Sequence, residues 1–186
     1  MMQFLQDSDI VIDLHSTSKP STPMLILGSK QIDQNLLQSL DIEYIIQNIF
    51  GKTNGLSSLE YIESQNNNTI CMAFESGQHN TETTKRAAIY NCQTILGYYG
   101  LITKQDTQIK RYRPKQLQVD TTLYSKSLSD RFLYSKTPKS FDTIPKNNPI
   151  VQLGNNTIHA PYDCYILMPS SPKTISEEIG YIAKCI

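Results

Sequence analysis

The sequence predicts an α/β fold, a sheet flanked by helices, followed by a small β-rich domain. Three observations predict it. The run Asp9-Ile10-Val11-Ile12-Asp13-Leu14 is dense in β-branched and apolar residues, as in strands covered on both faces. Further strand-length apolar runs then alternate with helical patterns up to about residue 100, the order expected of an α/β chain. Beyond residue 105 the helical signal stops, and Pro138, Pro145, Pro149, Pro161, Pro169 and Pro172 separate short strand-like runs. The expected division is therefore 1–105 and 106–186.

Taken in order, a strand over 9–14 leads into a Ser-, Thr- and Pro-rich loop over 16–23, and 24–27 reads as a second short buried strand. Residues 31–40 look helical, with Ile32, Leu36, Leu37 and Leu40 on one face and Asp33 near the positive end of the dipole. The segment 42–49 could extend that helix, but the alternation of Ile42, Tyr44 and Ile46 favours a strand. A loop over 51–58 and a short helical turn over 59–63 follow. The run 69–74 is a strand that delivers Glu75 and is expected to break at Gly77. Thr81-Glu82-Thr83-Thr84 supplies capping chemistry for a helix that ends around 97–100. The stretch 105–115 is polar and basic, and Pro114 excludes a continuing helix. Strands are then expected at 116–119, 132–134, 150–153, 157–160, 164–168 and 180–183.

Composition narrows the function classes. The chain has 186 residues, 39% of them hydrophobic and 18% charged, well above the apolar content of a disordered chain. Formal net charge is +0, so neither a nucleic acid nor a basic partner is suggested by charge. No apolar run reaches membrane-spanning length, and no membrane partner is expected. The N-terminus shows no basic region followed by an apolar stretch, so the expected location is the cytoplasm. Cys71, Cys92, Cys164 and Cys185 form no Cys-x-x-Cys pair and read as buried free thiols in a reducing compartment.

The chemistry-bearing residues gather at two strand ends. Asp13 and His15 are two residues apart and point to the same side of a strand. A carboxylate and an imidazole at the carboxyl end of an α/β strand, followed by a small-residue loop, commonly present a metal ligand. On spacing alone, the plainer reading is a strand-end histidine that bonds its own loop. A second run, Thr69-Ile70-Cys71-Met72-Ala73-Phe74-Glu75-Ser76-Gly77, also ends in a carboxylate and a glycine.

Together Asp13-Leu14-His15-Ser16-Thr17, Phe74-Glu75-Ser76-Gly77 and the late segment Ala160-Pro161-Tyr162-Asp163-Cys164-Tyr165-Ile166-Leu167-Met168 resemble the later part of the succinylglutamate desuccinylase/aspartoacylase family. That family is a branch of the zinc-carboxypeptidase superfamily. The resemblance implies a partial zinc-carboxypeptidase-like mixed sheet and a barrel-sandwich-like second domain. It also implies a zinc-dependent hydrolase that cleaves an N-acyl amide of an amino acid. Carried over, His15 is the third metal ligand, Glu75 the general base and Asp13 a residue that shapes the surroundings of the metal. Three protein ligands leave the fourth position to water, which zinc acidifies. Tyr61 falls where the family has a tyrosine that binds the substrate carboxylate.

The family's other two metal ligands, a His-x-x-Glu pair, lie well before the Asp-Leu-His element, and only fourteen residues precede His15 here. A site rebuilt locally with His79 is the less favoured reading; His79 is expected to be an exposed loop or helix-start residue, and His159 to be structural. The expected partners are a small N-acyl amino-acid-like substrate and either a second copy of the chain or a complementing upstream fragment. The alternative is a catalytically silent remnant or binding module that keeps the scaffold without zinc.

Overall fold

The computed structural model describes residue 5 and residues 7–52, 55–66, 68–103 and 113–186. The expected boundary at 105/106 lies outside the described residues. The chain forms two compact units, one of residues 1–47 and 57–116, the other of residues 48–56 and 117–186.

The first unit contains β1 (Ile10–Thr17), β2 (Met24–Leu27), α1 (Gln34–Ser39), β3 (Tyr44–Gln47), α2 (Ser58–Gln65), β4 (Ile70–Gln78) and α3 (Glu82–Tyr98). Its strands run in the order β1-β4-β2-β3. β1 is parallel to β4, β4 antiparallel to β2, and β2 parallel to β3, which makes a mixed sheet. All four residues of β2 are buried, as expected of a strand inside a sheet with both faces covered. Leu25, Leu27, Met72 and Phe74 pack with Leu36 and Leu37 of α1 and Ile95 of α3 in one apolar cluster.

Local chemistry sets the helix boundaries. The Asp33 side chain accepts from the Asn35 N–H at 2.7 Å and caps α1, so the helix starts later than its apolar pattern. Ser57 and Glu60 form a reciprocal capping box that extends α2 beyond the single turn expected. Thr81 caps α3 by accepting from the Thr84 N–H. Within α3, Asn91 is fully buried. Its Oδ1 accepts from the Asp41 N–H at 2.7 Å and its Nδ2 donates to the Ala87 carbonyl at 2.8 Å, fixing the helix to the turn before β3.

Two strand expectations need correction. β1 is not covered on both faces: it is the end strand of this unit's sheet, only Val11 is buried, and Leu14 is 48% exposed. An apolar run reports what a strand could bury, not whether this chain supplies the cover. β4 does not break at Gly77. It continues to Gln78 because Gly77 adopts φ +114°, a conformation open to glycine, inside the strand.

In the second unit lie β5 (Lys115–Tyr124, from Leu117 onward), β6 (Arg131–Phe132), β7 (Thr143–Ile144), β8 (Pro149–Leu153), β9 (Asn156–His159), β10 (Cys164–Leu167) and β11 (Glu178–Cys185). Two antiparallel groups form, β5-β11-β10-β7 and β6-β8-β9. β7, only two residues long, has no sequence signature. Leu123, Ile150, Val151, Ile166, Ile179 and Ile182 belong to one buried cluster. Residues 48–56 join this unit through Lys52, whose carbonyl accepts from the Thr122 and Tyr124 hydroxyls, both at 2.8 Å. The cysteines are all free, but only Cys71 and Cys164 are buried; Cys185, next to the last residue of the chain, is exposed. Among the described residues no helix is long and apolar enough to cross a membrane.

Candidate active site

β1 and β4 place the candidate residues side by side. Their parallel ladder pairs Ile10 with Ile70 and continues in register to His15 opposite Glu75. Directly paired residues on neighbouring strands present their side chains to the same face, so the imidazole and the carboxylate share one end of the sheet.

Asp13, two positions earlier on the same face, brings Oδ1 to 2.8 Å from His15 Nδ1. With Nδ1–H donated to Asp13, the lone pair of Nε2 is left to face outward. This is the orientation in which a carboxylate prepares a histidine for a metal. The His15 side chain is 57% exposed.

Glu75 is in a different environment. Its Oε2 is buried and has no hydrogen-bond partner. Burial pushes its carboxyl above the ordinary carboxylate range, the imidazoles of His15 and His79 pull it back, and the Asp13 carboxylate adds to the rise. Partial desolvation raises the proton affinity of this carboxylate, which suits it to accept a proton.

His79 is held at the same rim. Its Nδ1 lies 2.7 Å from Ser16 Oγ, and its backbone N–H donates to the Thr17 carbonyl at 2.8 Å. It is exposed, as expected, but tied to the strand that carries His15. The spacing His-x-x-Glu does occur once in this chain, at His79-Asn80-Thr81-Glu82, after the base and not before the Asp-Leu-His element. Glu82 is exposed in the first turn of α3. Among the described residues no group of three or more His, Cys, Asp or Glu side chains is arranged to hold a metal ion. Tyr61 lies on α2, half-buried, with its N–H donated to the Ser57 carbonyl at 2.9 Å. His159 ends β9 in the second unit, opposite Pro149.

No family model and no curated protein matches the sequence. Solved structures do match the fold. Succinylglutamate desuccinylase from Vibrio cholerae superposes with a TM-score of 0.68 at 14% identity, covering 94% of this chain and 52% of that one. The fold is that of the succinylglutamate desuccinylase/aspartoacylase structures. The desuccinylase from Chromobacterium violaceum gives a TM-score of 0.66 at 13% identity, covering 100% of this chain and 59% of that one. The ectoine utilization protein EutE (DoeB) from Ruegeria pomeroyi gives 0.65 at 12%, covering 97% and 61%. The chain thus spans little more than half the length of these solved structures. Of the donors a zinc site needs, the described residues offer His15 with Nδ1 on Asp13, and no group of three or more that could hold the ion.

Proposed function

We propose that this chain carries the base-bearing half of an N-acyl amino-acid amidohydrolase site. The supporting observation is the register that sets His15 directly opposite Glu75 on parallel strands, with Asp13 on the histidine's inner nitrogen. In this reading Glu75 takes a proton from the attacking water and returns it to the departing amide nitrogen. Asp13 holds the His15 tautomer, and His15 contributes one ligand to zinc. Zinc, when bound, supplies acidification of water and polarisation of the acyl oxygen. The remaining ligands lie outside the described residues, because one imidazole does not hold zinc in a structured cage.

The experiment is a metal and activity assay on the purified chain, with and without a co-expressed N-terminal half of a related desuccinylase. Stoichiometric zinc and hydrolysis of N-acyl amino acids in the complemented sample, with hydrolysis lost in Glu75→Gln, support the reading. A complex that forms without taking up zinc identifies the chain as a silent scaffold instead.

A further inference from the structure

We infer that the second unit binds a small organic anion with an apolar body, in the hollow beside β6. The hollow has a volume of about 510 Å³, within the range of small-molecule clefts. It is lined by the run from Asp130 to Lys136, by Ser170 and Ser171, and by Ile179 of β11, among others. Backbone hydrogen bonds pin its walls: the Leu133 N–H donates to the Ile150 carbonyl at 2.8 Å, and the Ser170 N–H to the Ile179 carbonyl at 2.9 Å. Gly180 lets those walls approach. A Cβ on it would lie 3.0 Å from the Leu167 carbonyl oxygen and 3.6 Å from the Phe132 ring, and its φ of +146° is one that glycine accepts readily.

The lining chemistry selects the occupant. Arg131 and Lys136 are exposed, and neither side chain has an ion-pair or hydrogen-bond partner among the described residues. The one acid in the lining, Asp130, is already engaged: its two oxygens accept from the Lys126, Ser127 and Gly154 N–H groups. The two cations are therefore left to meet an anion from solution. Ser171 is exposed and Ser170 half-buried, and neither hydroxyl has a partner among the described residues. Phe132 and Tyr134, whose rings meet edge to face at 5.8 Å, supply the apolar part with Ile179. Two unpaired cations and two hydroxyls beside an aromatic pair fit a carboxylate or phosphate carried on an apolar body. A purely apolar molecule would leave the cations unused, and a bare inorganic anion would leave the rings unused.

The test is an amide NMR titration of the intact chain with benzoate, phenyl phosphate, benzyl alcohol and inorganic phosphate in turn, at equal ionic strength. Benzoate or phenyl phosphate is expected to give saturable shifts confined to 130–136, Ser170, Ser171 and Ile179. Whichever saturates at the lower concentration identifies the anionic group. Benzyl alcohol and inorganic phosphate each lack one half of the recognition and are expected to bind about tenfold more weakly. The double variant Arg131→Gln, Lys136→Gln, at two exposed positions, is expected to weaken binding of the aromatic anions about tenfold while signals away from the hollow stay in place. Shifts that stay linear with both aromatic anions, benzyl alcohol binding as tightly as benzoate, or affinity unchanged in the double variant overturn the site. The hollow lies in the second unit and the titration needs no zinc, so its outcome is independent of the amidohydrolase reading.

Discussion

Asp13 and Asp130 show how one residue type does different work in different surroundings. Asp13 is spent on orienting His15, so in the complemented protein Asp13→Ala is expected to lower zinc affinity about 10–100-fold, measured by chelator competition. Asp130 is buried and accepts from three backbone N–H groups, those of Lys126, Ser127 and Gly154, at 2.6, 3.0 and 2.7 Å. Burial alone would push its carboxyl up, but those donors outweigh it and hold it below the ordinary range. A folded-state pKa below the unfolded one stabilises the fold above the unfolded value, and that stabilisation is lost as pH falls through the folded one. Asp130→Ala is expected to cost about 2–3 kcal/mol in urea unfolding at neutral pH, with a smaller difference in acid, because it strands buried donors.

At the scale of elements, the critical junctions are the end of β4 and the buried middle of α3. Gly77 sits at φ +114° with Thr84 against its Cα, so Gly77→Ala is expected to destabilise by about 1–3 kcal/mol and shift the amide signals of Thr81 and Thr84. Asn91 joins α3 to the backbone of Asp41. Asn91→Leu, which keeps the volume but deletes the bonds, is expected to cost about 2–3 kcal/mol in the same assay. Neither junction is an apolar contact. An account of the first unit from its hydrophobic cluster would place both residues incorrectly, Asn91 as a polar lapse in a core face and Gly77 as a strand terminator.

The first unit ends its sheet at β1, and that strand carries the candidate site. Its outer backbone edge has no strand partner among the described residues, while Leu14, on the face opposite His15, is half-exposed. An open strand edge offers unpaired backbone groups to another chain. The purified chain is expected to self-associate as concentration rises, and a complementing segment to compete for the same edge and convert the species to a one-to-one complex. Light scattering after size exclusion checks both, and Leu14→Lys is expected to shift the chain toward monomer. A chain monomeric at every concentration, with or without the segment, would rule out this use of the edge.

Much of the local structure was legible in the residues. β2 follows from four consecutive apolar residues, and α3 follows from Thr81 at its cap and an apolar stripe behind it. The Asp13–His15 pairing follows from a period of two. The sequence by itself determined which side chains could act together on a strand, because alternation is a property of the backbone. It did not determine that β1 and β4 are neighbours, that their register sets His15 against Glu75, or that His79 returns to bond Ser16. Those facts depend on pairings between segments some sixty positions apart. Only the packing of the sheet chooses among such pairings, and only packing leaves one oxygen of Glu75 dry and unengaged.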